Sequence, residues 1–357
     1  MTGRGIDQIL PHPSKPDLYE PYVGSAGEYV ALAESAGGPL PRPVGYDYIW
    51  GDALGMVDRE SPDARIINLE TAVTTSDEAS PDKGVHYRMH PANVPCLTAA
   101  RLDCCVLANN HVLDWGRGGL EQTLAALRGA GLRTAGAGRD AIEAAAPAVI
   151  EVSGKGRVLV FAYAMPSSGV PGAWASTKHR SGINLIEDLS PRSVEAVARH
   201  VREHRRDGDI VVFSIHWGSN WGYTITSRER EFAHGLVDVA AVDVVHGHSS
   251  HHAKGIEIYR DKPILYGCGD LLNDYEGISG HEEYRADLGA MYFARFDGAT
   301  GRLSQLVLEP TRVHRFRLNR PTQHEAEWLR AALDREGRTL GTRVEPQPGN
   351  TLAVRWS

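Results

Sequence analysis

Residues 242–252 read VDVVHGHSSHH, a short apolar segment that continues directly into a cluster of histidines. Residues 211–218 read VVFSIHWG and have the same form. Short apolar runs of this kind predict buried strands, and we expect strands at 209–215 and 242–245, each ending at the first histidine of its stretch. Ligands in α/β folds bind at the carboxyl ends of strands, so the two segments predict a functional site at that edge of a sheet.

Three other apolar runs also end in side chains that bind metals or transfer protons. They end in Asn68-Leu69-Glu70, in Asn109-Asn110-His111 and in Asp270. Packing requirements alone rarely place such residues at the ends of five strands in one chain. One carboxylate, one amide oxygen and three imidazoles suit a borderline divalent ion such as Zn, Mn, Fe or Ni. Ca is also a candidate, although it prefers more oxygen ligands. We therefore expect a divalent metal site.

The rest of the chain alternates between helix and strand patterns. Helices are predicted at 26–36, at 119–131 and after Ser190, Thr226 and Thr322, and paired strands at 148–162, 255–266 and 290–308. This alternation predicts an α/β fold with a mixed sheet or two packed sheets. We expect irregular structure in most of the first sixty residues, which are rich in Pro and Gly, and a loosely ordered tail after Gly337.

Composition narrows the function classes. The chain has 357 residues, of which 38 are Lys or Arg and 45 are Asp or Glu, for a net charge of −7. An acidic chain of this kind is a poor candidate for a nucleic-acid binder, because phosphate neutralisation needs a basic surface. No apolar stretch reaches the roughly 20 residues of a membrane helix. The four cysteines form no CxxC pair and the N-terminus has no hydrophobic segment, so we expect a reduced, cytoplasmic protein.

Five motifs, taken in order, point to a known family. They are Asn68-Leu69-Glu70, Ala108-Asn109-Asn110-His111 with Asp114-Trp115-Gly116, Ile215-His216-Trp217-Gly218, Gly247-His248 with His251, and Tyr266-Gly267 before Gly269-Asp270. Together they resemble the CapA proteins of poly-γ-glutamate capsule biosynthesis, which are similar to the calcineurin-like metallophosphoesterases. The resemblance covers about residues 1–315. It implies one domain over 1–357, an α-β-β-α sandwich with its motif core at about 60–315 and a C-terminal helix and tail at 320–357.

The resemblance also implies roles for individual side chains. The implied metal ligands are Glu70 as a bridging carboxylate, Asn110, His216 and His248 around one ion, and His251 at a second ion. His111 resembles the acid that lies beside the leaving group in phosphoesterases of this fold. Asp114 would accept the other ring N–H of His111 and so orient it, which is the usual way to fix an imidazole tautomer.

The sequence departs from the family in two places. The family opens with a strand that ends in Gly-Asp, whose Asp is a metal ligand, and this chain begins at the residues that follow that pair, so the first strand is expected to be missing. The second departure is Asp270, where the family more often has Asn. An additional carboxylate beside histidines suits proton transfer, so we expect Asp270 and His251 to be catalytic.

Candidate substrate-binding residues are Arg88, His90 and Trp217. Arg88 in the segment 86–90 is suited to hold a substrate carboxylate, although a solvated loop explains the segment equally well. Trp217 follows His216 directly, but a tryptophan at such a position is more often part of the core or a pocket wall. These three side chains are predictions of substrate contact with structural alternatives.

Three functions remain open from the sequence. The first is a metal-dependent hydrolase-like enzyme that acts on a peptide, γ-glutamyl or phosphoester bond in poly-γ-glutamate or peptide biosynthesis. The second is a metal-dependent peptide epimerase, in which His/Asp pairs move a Cα proton. The third is a non-enzymatic partner of a biosynthetic assembly with a degenerate metal site. In the first two, a peptide or poly-γ-glutamate-like molecule is the expected partner.

Overall fold

A computed structural model describes residues 1–81, 83–298 and 300–356. Its α-helices are α1 (Gly5–Ile9), α2 (Ala26–Gly37), α3 (Ala53–Glu60), α4 (Pro95–Thr98), α5 (Gly116–Gly129), α6 (Ala141–Ala145), α7 (Pro191–His204), α8 (Ser227–Asp238) and α9 (Gln323–Gly337). Its strands are β1 (Ile66–Asn68), β2 (Ala72–Val73), β3 (Arg88–Met89), β4 (Cys104–Val106), β5 (Arg133–Ala135), β6 (Ala137–Gly138), β7 (Ala148–Val152), β8 (Gly156–Ala164), β9 (Gly182–Ile183), β10 (Ile210–His216), β11 (Val244–His248), β12 (Ile256–Tyr259), β13 (Lys262–Leu265), β14 (Leu288–Phe296), β15 (Leu303–Val313), β16 (Leu318–Asn319), β17 (Thr342–Pro346) and β18 (Leu352–Trp356).

The largest sheet carries both histidine-terminated strands. Its order is β12-β13-β11-β10-β8-β7, with β10 parallel to its neighbours β8 and β11, and antiparallel pairs at both edges. The register sets Ser214 opposite His246 and His216 opposite His248. The two predicted strands are confirmed, but β11 continues to His248. Two side chains from each strand therefore lie on the same face, because strand side chains alternate.

The two faces of this sheet pack against different layers. Phe213 and Ile215 of β10 contact a core formed with α7 and α8. Val212, on the opposite face, belongs to a second core that includes the three-stranded parallel sheet β1-β4-β5 and apolar residues of α5. Each fully buried side chain of this size contributes about 1.5–3 kcal/mol. The predicted α/β fold with a mixed sheet is confirmed, and the described residues contain several sheets.

A third sheet contradicts the prediction of a loosely ordered tail. Strands β14, β15, β18 and β17 form it, and α9 packs its apolar face against it through Leu329 and Leu333. In β17, Thr342 and Val344 are buried while Arg343 and Glu345 are exposed. The charged residues on the solvent face obscure the period-two pattern in the sequence. The two hairpins predicted at 255–266 and 290–308 are confirmed as β12–β13 and β14–β15.

The first sixty residues are also more regular than predicted. Besides the predicted helix, α2, they contain α1 and α3. The N-terminal segment is anchored by Arg4, whose guanidinium forms two hydrogen bonds to Asp274 at 2.6 and 3.1 Å. Both side chains are buried, so the pair fixes the N-terminal segment against the loop that follows β13. In the described residues the first strand is β1, and no helix is both long and apolar enough to cross a membrane.

Candidate active site

The predicted strand ends converge on one buried cluster. Nε2 of His216 lies 3.2 Å from Oδ1 of Asn110 and 3.9 Å from Oε1 of Glu70. Nε2 of His111 lies 4.0 Å from the same Glu70 oxygen. Glu70, His111 and His216 are each less than a tenth exposed. Three strand ends that are far apart in sequence thus bring a carboxylate, an amide and two imidazoles together, because parallel strands finish at the same edge of the fold.

His111 and Asp114 form the first of two histidine–carboxylate pairs. Nδ1 of His111 lies 2.7 Å from Oδ2 of Asp114, and the backbone N–H of Tyr87 donates to the same oxygen at 2.7 Å. A carboxylate accepts only, so Nδ1 carries the proton and Nε2 faces Glu70 as an acceptor. Burial lowers the pKa of His111 to about 4 despite the nearby Asp114 charge. The ring is therefore a neutral base at neutral pH.

Lys83 contacts both members of this pair, and the sequence does not predict it as a site residue. Its Nζ lies 2.7 Å from Oδ1 of Asp114 and 3.2 Å from Nδ1 of His111, and it donates to the carbonyl of Asn110. Burial alone would raise the pKa of Asp114, but His111 and Lys83 outweigh it and lower that pKa. No local pattern marks Lys83, since it lies in a segment without periodicity, 31 residues before Asp114.

His251 and Asp270 form the second pair. Nδ1 of His251 lies 3.1 Å from Oδ2 of Asp270, and the side-chain amide of Asn273 donates to the same oxygen at 3.0 Å. Burial alone would lower the pKa of His251, but the Asp270 charge and hydrogen bond outweigh it and raise that pKa. The Asp270 side chain is 9% exposed and pairs with His251, and its place in an active site stays a prediction. Its contact with Asn273 is compatible with the turn interpretation as well.

Two tyrosines connect the pairs. The Tyr87 ring packs edge-on against His111 with centroids 4.6 Å apart, and the Tyr275 ring packs edge-on against His251 at 5.3 Å. The two hydroxyls are 3.2 Å apart. The sequence signals neither tyrosine, because Tyr87 and Tyr275 belong to segments without a strand-end motif. The tyrosine rings thus pack against both histidines and link the two pairs through their hydroxyls.

His248 lies behind His216 and does not face the cluster. Its Nδ1 lies 2.8 Å from Nδ1 of His216, and its Nε2 lies 2.9 Å from Oγ of Ser214, which also contacts His246. Burial lowers the pKa of His216 and His248 well below the usual value, so both rings are neutral.

The predicted metal site fits the structure in part. Bonds of about 2.0–2.2 Å hold neighbouring ligand atoms roughly 3–3.5 Å apart. Nε2 of His216 lies 3.2 Å from the Asn110 oxygen and 3.9 Å from the Glu70 oxygen, close to that spacing. His248 contacts Nδ1 of His216 instead, and its role as a ligand stays a prediction. Across residues 1–81, 83–298 and 300–356, no three His, Cys, Asp or Glu side chains already form a metal-holding group.

The three side chains predicted to contact substrate each form hydrogen bonds within the protein. The Arg88 guanidinium donates to the carbonyls of Ser76 and Lys15 and stacks on Trp115, so it is a buried structural group. Nδ1 of His90 accepts from the Ala92 N–H at the start of a short 3₁₀ turn.

Trp217 is 3% exposed, and its indole N–H donates to the Tyr266 carbonyl. It belongs to the core shared with α8. The core interpretation of this tryptophan is therefore the one its contacts support.

Comparison with known proteins identifies the family. The model of the family described as bacterial capsule synthesis protein PGA_cap matches residues 1–275. The chain belongs to this family. A probable polyglutamine synthesis accessory protein of Mycobacterium tuberculosis is 50% identical over 355 residues, which is 99% of this chain and 93% of the relative. The resemblance found from the five motifs is thereby confirmed.

More distant relatives share only part of the chain. The capsule biosynthesis protein CapA of Bacillus anthracis is 25% identical over 210 residues, which is 58% of this chain and 49% of the relative. The PGA biosynthesis protein CapA of Bacillus subtilis is 26% identical over 222 residues, which is 58% of this chain and 52% of the relative. The PGA_cap match ends before β14, so the third sheet lies outside the family model.

The buried neutral histidines predict acid instability. Burial lowers the pKa of His111 and His252 to about 4, whereas unfolded histidine titrates near 6.5. The unfolded chain then binds more protons between these values, so the free energy of unfolding must fall as pH decreases from about 6.5 to 4. Urea unfolding of chelator-treated protein measures this. His252→Phe keeps the ring packing and should flatten the slope by up to about 1.4 kcal/mol per pH unit.

His179→Phe, at an exposed histidine, is the control and should leave the slope unchanged. A slope for His252→Phe equal to that of the unsubstituted protein would show that this ring is protonated in the native state.

Proposed function

We propose that this protein is an acid/base enzyme that hydrolyses a peptide or γ-glutamyl bond with the help of a divalent metal ion. The observation that carries the proposal is the pair of buried histidine–carboxylate contacts beside Glu70, with opposite pKa shifts on His111 and His251. Titratable groups whose environments push their pKa values apart are the usual acid and base of an enzyme site. The names of the relatives, which refer to capsule and polyglutamine synthesis, favour a peptide-like substrate.

The two histidines take complementary roles in this proposal. A water molecule loses a proton to Nε2 of His111 as its oxygen adds to the substrate carbonyl carbon. The carbon–nitrogen bond then breaks, and the departing amine takes a proton from His251. Asp114 and Asp270 accept the Nδ1–H of each ring and stabilise its charged form. Each group of this type contributes about 10²–10⁴-fold to the rate.

The metal ion has a defined place in the proposal. Glu70, Asn110 and His216 would hold it, since Nε2 of His216 lies 3.2 Å from Oδ1 of Asn110 and 3.9 Å from Oε1 of Glu70. A divalent ion bound there supplies Lewis-acid polarisation of a carbonyl or of water. His251 presents Nε2 while Nδ1 is held by Asp270, which is also the arrangement of a metal ligand with an oriented ring. A second ion bound to Nε2 of His251 is the alternative to its role as the acid, because a coordinated nitrogen carries no proton to donate.

A second candidate function is Cα epimerisation of a peptide. One neutral and one protonated histidine are the groups that a two-base epimerase needs, one to remove the Cα proton and the other to return a proton to the opposite face. Incubation of a glutamate-containing peptide in deuterium oxide separates the candidates. Cleavage without Cα deuterium supports hydrolysis, and Cα deuterium without cleavage supports epimerisation. Neither product, with metal bound, supports a non-enzymatic accessory role.

His111→Ala should abolish turnover and leave the fold and metal content intact. We expect a loss of about 10²–10⁴-fold, with a smaller loss for Asp114→Asn, because His111 is the base and Asp114 orients it. Peptide cleavage followed by mass spectrometry, with elemental analysis of the same samples, measures both quantities. His179→Ala, at an exposed histidine, should behave like the unsubstituted protein. Metal loss in His111→Ala would instead make His111 a ligand.

Asp270→Asn should shift the alkaline limb of the pH–rate profile to lower pH. The Asp270 charge raises the pKa of His251, and the reaction needs His251 protonated, so removing the charge moves the loss of activity to lower pH. The Asn oxygen still accepts the Nδ1–H, so the ring stays oriented. Rates measured between pH 5 and 9 test this, and an unshifted limb would make Asp270 a turn residue without a role in proton transfer.

Glu70→Gln should lower the metal content of the protein. Loss of the carboxylate leaves one imidazole and two amide oxygens, a weaker set for a divalent ion. Elemental analysis after incubation with Mn or Zn and desalting measures the occupancy. Glu257→Gln is a matched control, since Glu257 is an equally buried carboxylate whose partners are Arg230 and His234 on α8. Equal metal content in all three proteins would contradict the proposed ligand set.

A further inference from the structure

Two asparagines behind Glu70 form a hydrogen-bond chain that the proposed reaction does not use. The side-chain amide of Asn68 donates to Oε2 of Glu70 at 2.9 Å. The side-chain amide of Asn109 donates to Oδ1 of Asn68 at 3.0 Å and to the Leu69 carbonyl at 3.0 Å. Asn68 is the last residue of β1, and Asn109 lies just after β4. The chain therefore joins the ends of two neighbouring strands.

Backbone groups fix the direction of this chain. The N–H groups of His111 and Val112 both donate to one side-chain atom of Asn109, at 3.1 Å each. Backbone N–H groups only donate, so this atom is the amide oxygen, and the amide nitrogen must face Asn68. The Asn68 atom that it faces must then accept, which leaves the nitrogen of Asn68 toward Glu70. Turning either amide over would place two donors or two acceptors against each other.

The chain holds one carboxylate oxygen of Glu70 and leaves the other free. Oε2 accepts from Asn68, while Oε1 lies 3.9 Å from Nε2 of His216 and 4.0 Å from Nε2 of His111. Glu70 is buried, and a buried carboxylate is costly unless hydrogen bonds satisfy it. Within the described residues, the bond from Asn68 is the one hydrogen bond to this carboxylate. Without it, the carboxylate would be free to turn.

Asn109 connects the same chain to the proposed base. It is fully buried, and its oxygen accepts from the N–H of His111. An asparagine that accepts from N–H groups further along a loop forms an Asx turn, which by itself explains this residue type. Such a turn does not require the bond from the amide nitrogen to Asn68. That bond ties the strand end that carries Glu70 to the strand end that carries Asn110 and His111.

We propose that Asn68 and Asn109 are positioning residues for the metal site, which act in series to hold the Glu70 carboxylate with Oε1 directed toward the ion. The inference rests on the metal ion of the proposed function and deepens it by assigning the residues that orient its carboxylate ligand. Hydrogen bonds from neighbouring groups orient the ligands of protein metal sites, and their loss typically weakens metal binding about 10–100-fold. Asn68 contacts Glu70 directly, whereas Asn109 acts on it through Asn68.

Calorimetric titration of chelator-treated protein with Mn tests the chain. Asn68→Ala should weaken Mn binding by about 10–100-fold. Asn109→Ser should weaken it by about twofold to tenfold, because the hydroxyl can still accept from the His111 and Val112 N–H groups but is too short to hold Asn68. In the double variant, Asn109→Ser should add less than about twofold to the loss from Asn68→Ala, since no side-chain amide remains for it to hold.

Asn319→Ala is the matched control. Asn319 is also half-buried, and its amide donates to the carbonyls of His314 and Arg317 beside the third sheet. Its Mn affinity should stay within about twofold of the unsubstituted protein. Urea unfolding of the same samples shows whether the variants lose comparable stability. Lower Mn affinity in the site variants alone then cannot be the result of a less stable fold.

Four results overturn the proposal. These are unchanged affinity in either single variant, an equal loss in Asn319→Ala, additive losses in the double variant, and no saturable Mn binding to the unsubstituted protein. Circular dichroism confirms that each variant is folded. Asn68→Leu, which is close in size to asparagine and lacks the donor, is a second variant at this position and should show the same loss as Asn68→Ala.

The positioning role and the proposed function fail separately. Mn affinity that depends on both asparagines, without any turnover by the unsubstituted protein, keeps the positioning role and rejects the enzyme. Turnover with Mn binding that neither asparagine affects keeps the enzyme and rejects the positioning role.

Discussion

The fully buried carboxylate of Asp114 is the interaction on which the rest of the site depends. One of its oxygens accepts from the Tyr87 N–H and from His111, and the other contacts Lys83. Its backbone carbonyl also accepts from the N–H of Ser80. An isolated carboxylate in this position would be costly, and these donors offset the cost. The same contacts hold Ser80, Lys83 and Tyr87, which precede β3, next to Asp114. One buried charge therefore positions both His111 and these residues.

The sheet supplies the second constraint, which is register. Parallel pairing of β10 with β11 sets His216 opposite His248 and Ser214 opposite His246, and the pleat turns all four toward the layer that contains Asn110 and Glu70. A shift of one residue in either strand would turn its polar pair into the apolar core with α7 and α8. Phe213 and Ile215, which fill that core, therefore fix the position of His216 and Ser214 as well as the stability of the sheet.

The sequence predicts the parts of the fold that depend on local pattern. Strands β10 and β11 are recognisable because a buried parallel strand is a nearly continuous apolar run, and the helix α8 because Thr226 and Glu229 form a capping box. The strand-end motifs likewise predict that Glu70, Asn110, His111 and His216 meet. Contacts that depend on tertiary geometry have no corresponding pattern in the sequence.

Lys83 contacts Asp114 from a segment without any periodic pattern. Arg88 is a residue type that often binds carboxylates, but the short pairing of β2 with β3 turns its side chain toward Trp115. The orientation of His248 is set by its neighbour across the sheet. The order of the tail was not predicted for a different reason. Charged residues on the solvent face of β17 obscure the alternation of buried and exposed positions that includes Thr342 and Val344.

The two histidine–carboxylate pairs contain the same side chains, but the pKa is lowered for His111 and raised for His251, and their surroundings explain the difference. Burial lowers the pKa of both rings. Asp114 shares its charge with Lys83, which also repels a proton on His111 directly, so its carboxylate cannot compensate for burial. Asp270 interacts chiefly with His251, and Glu70 adds a second negative charge on that side. Lys83, which no sequence pattern marks, thus contributes to the lowered pKa of His111.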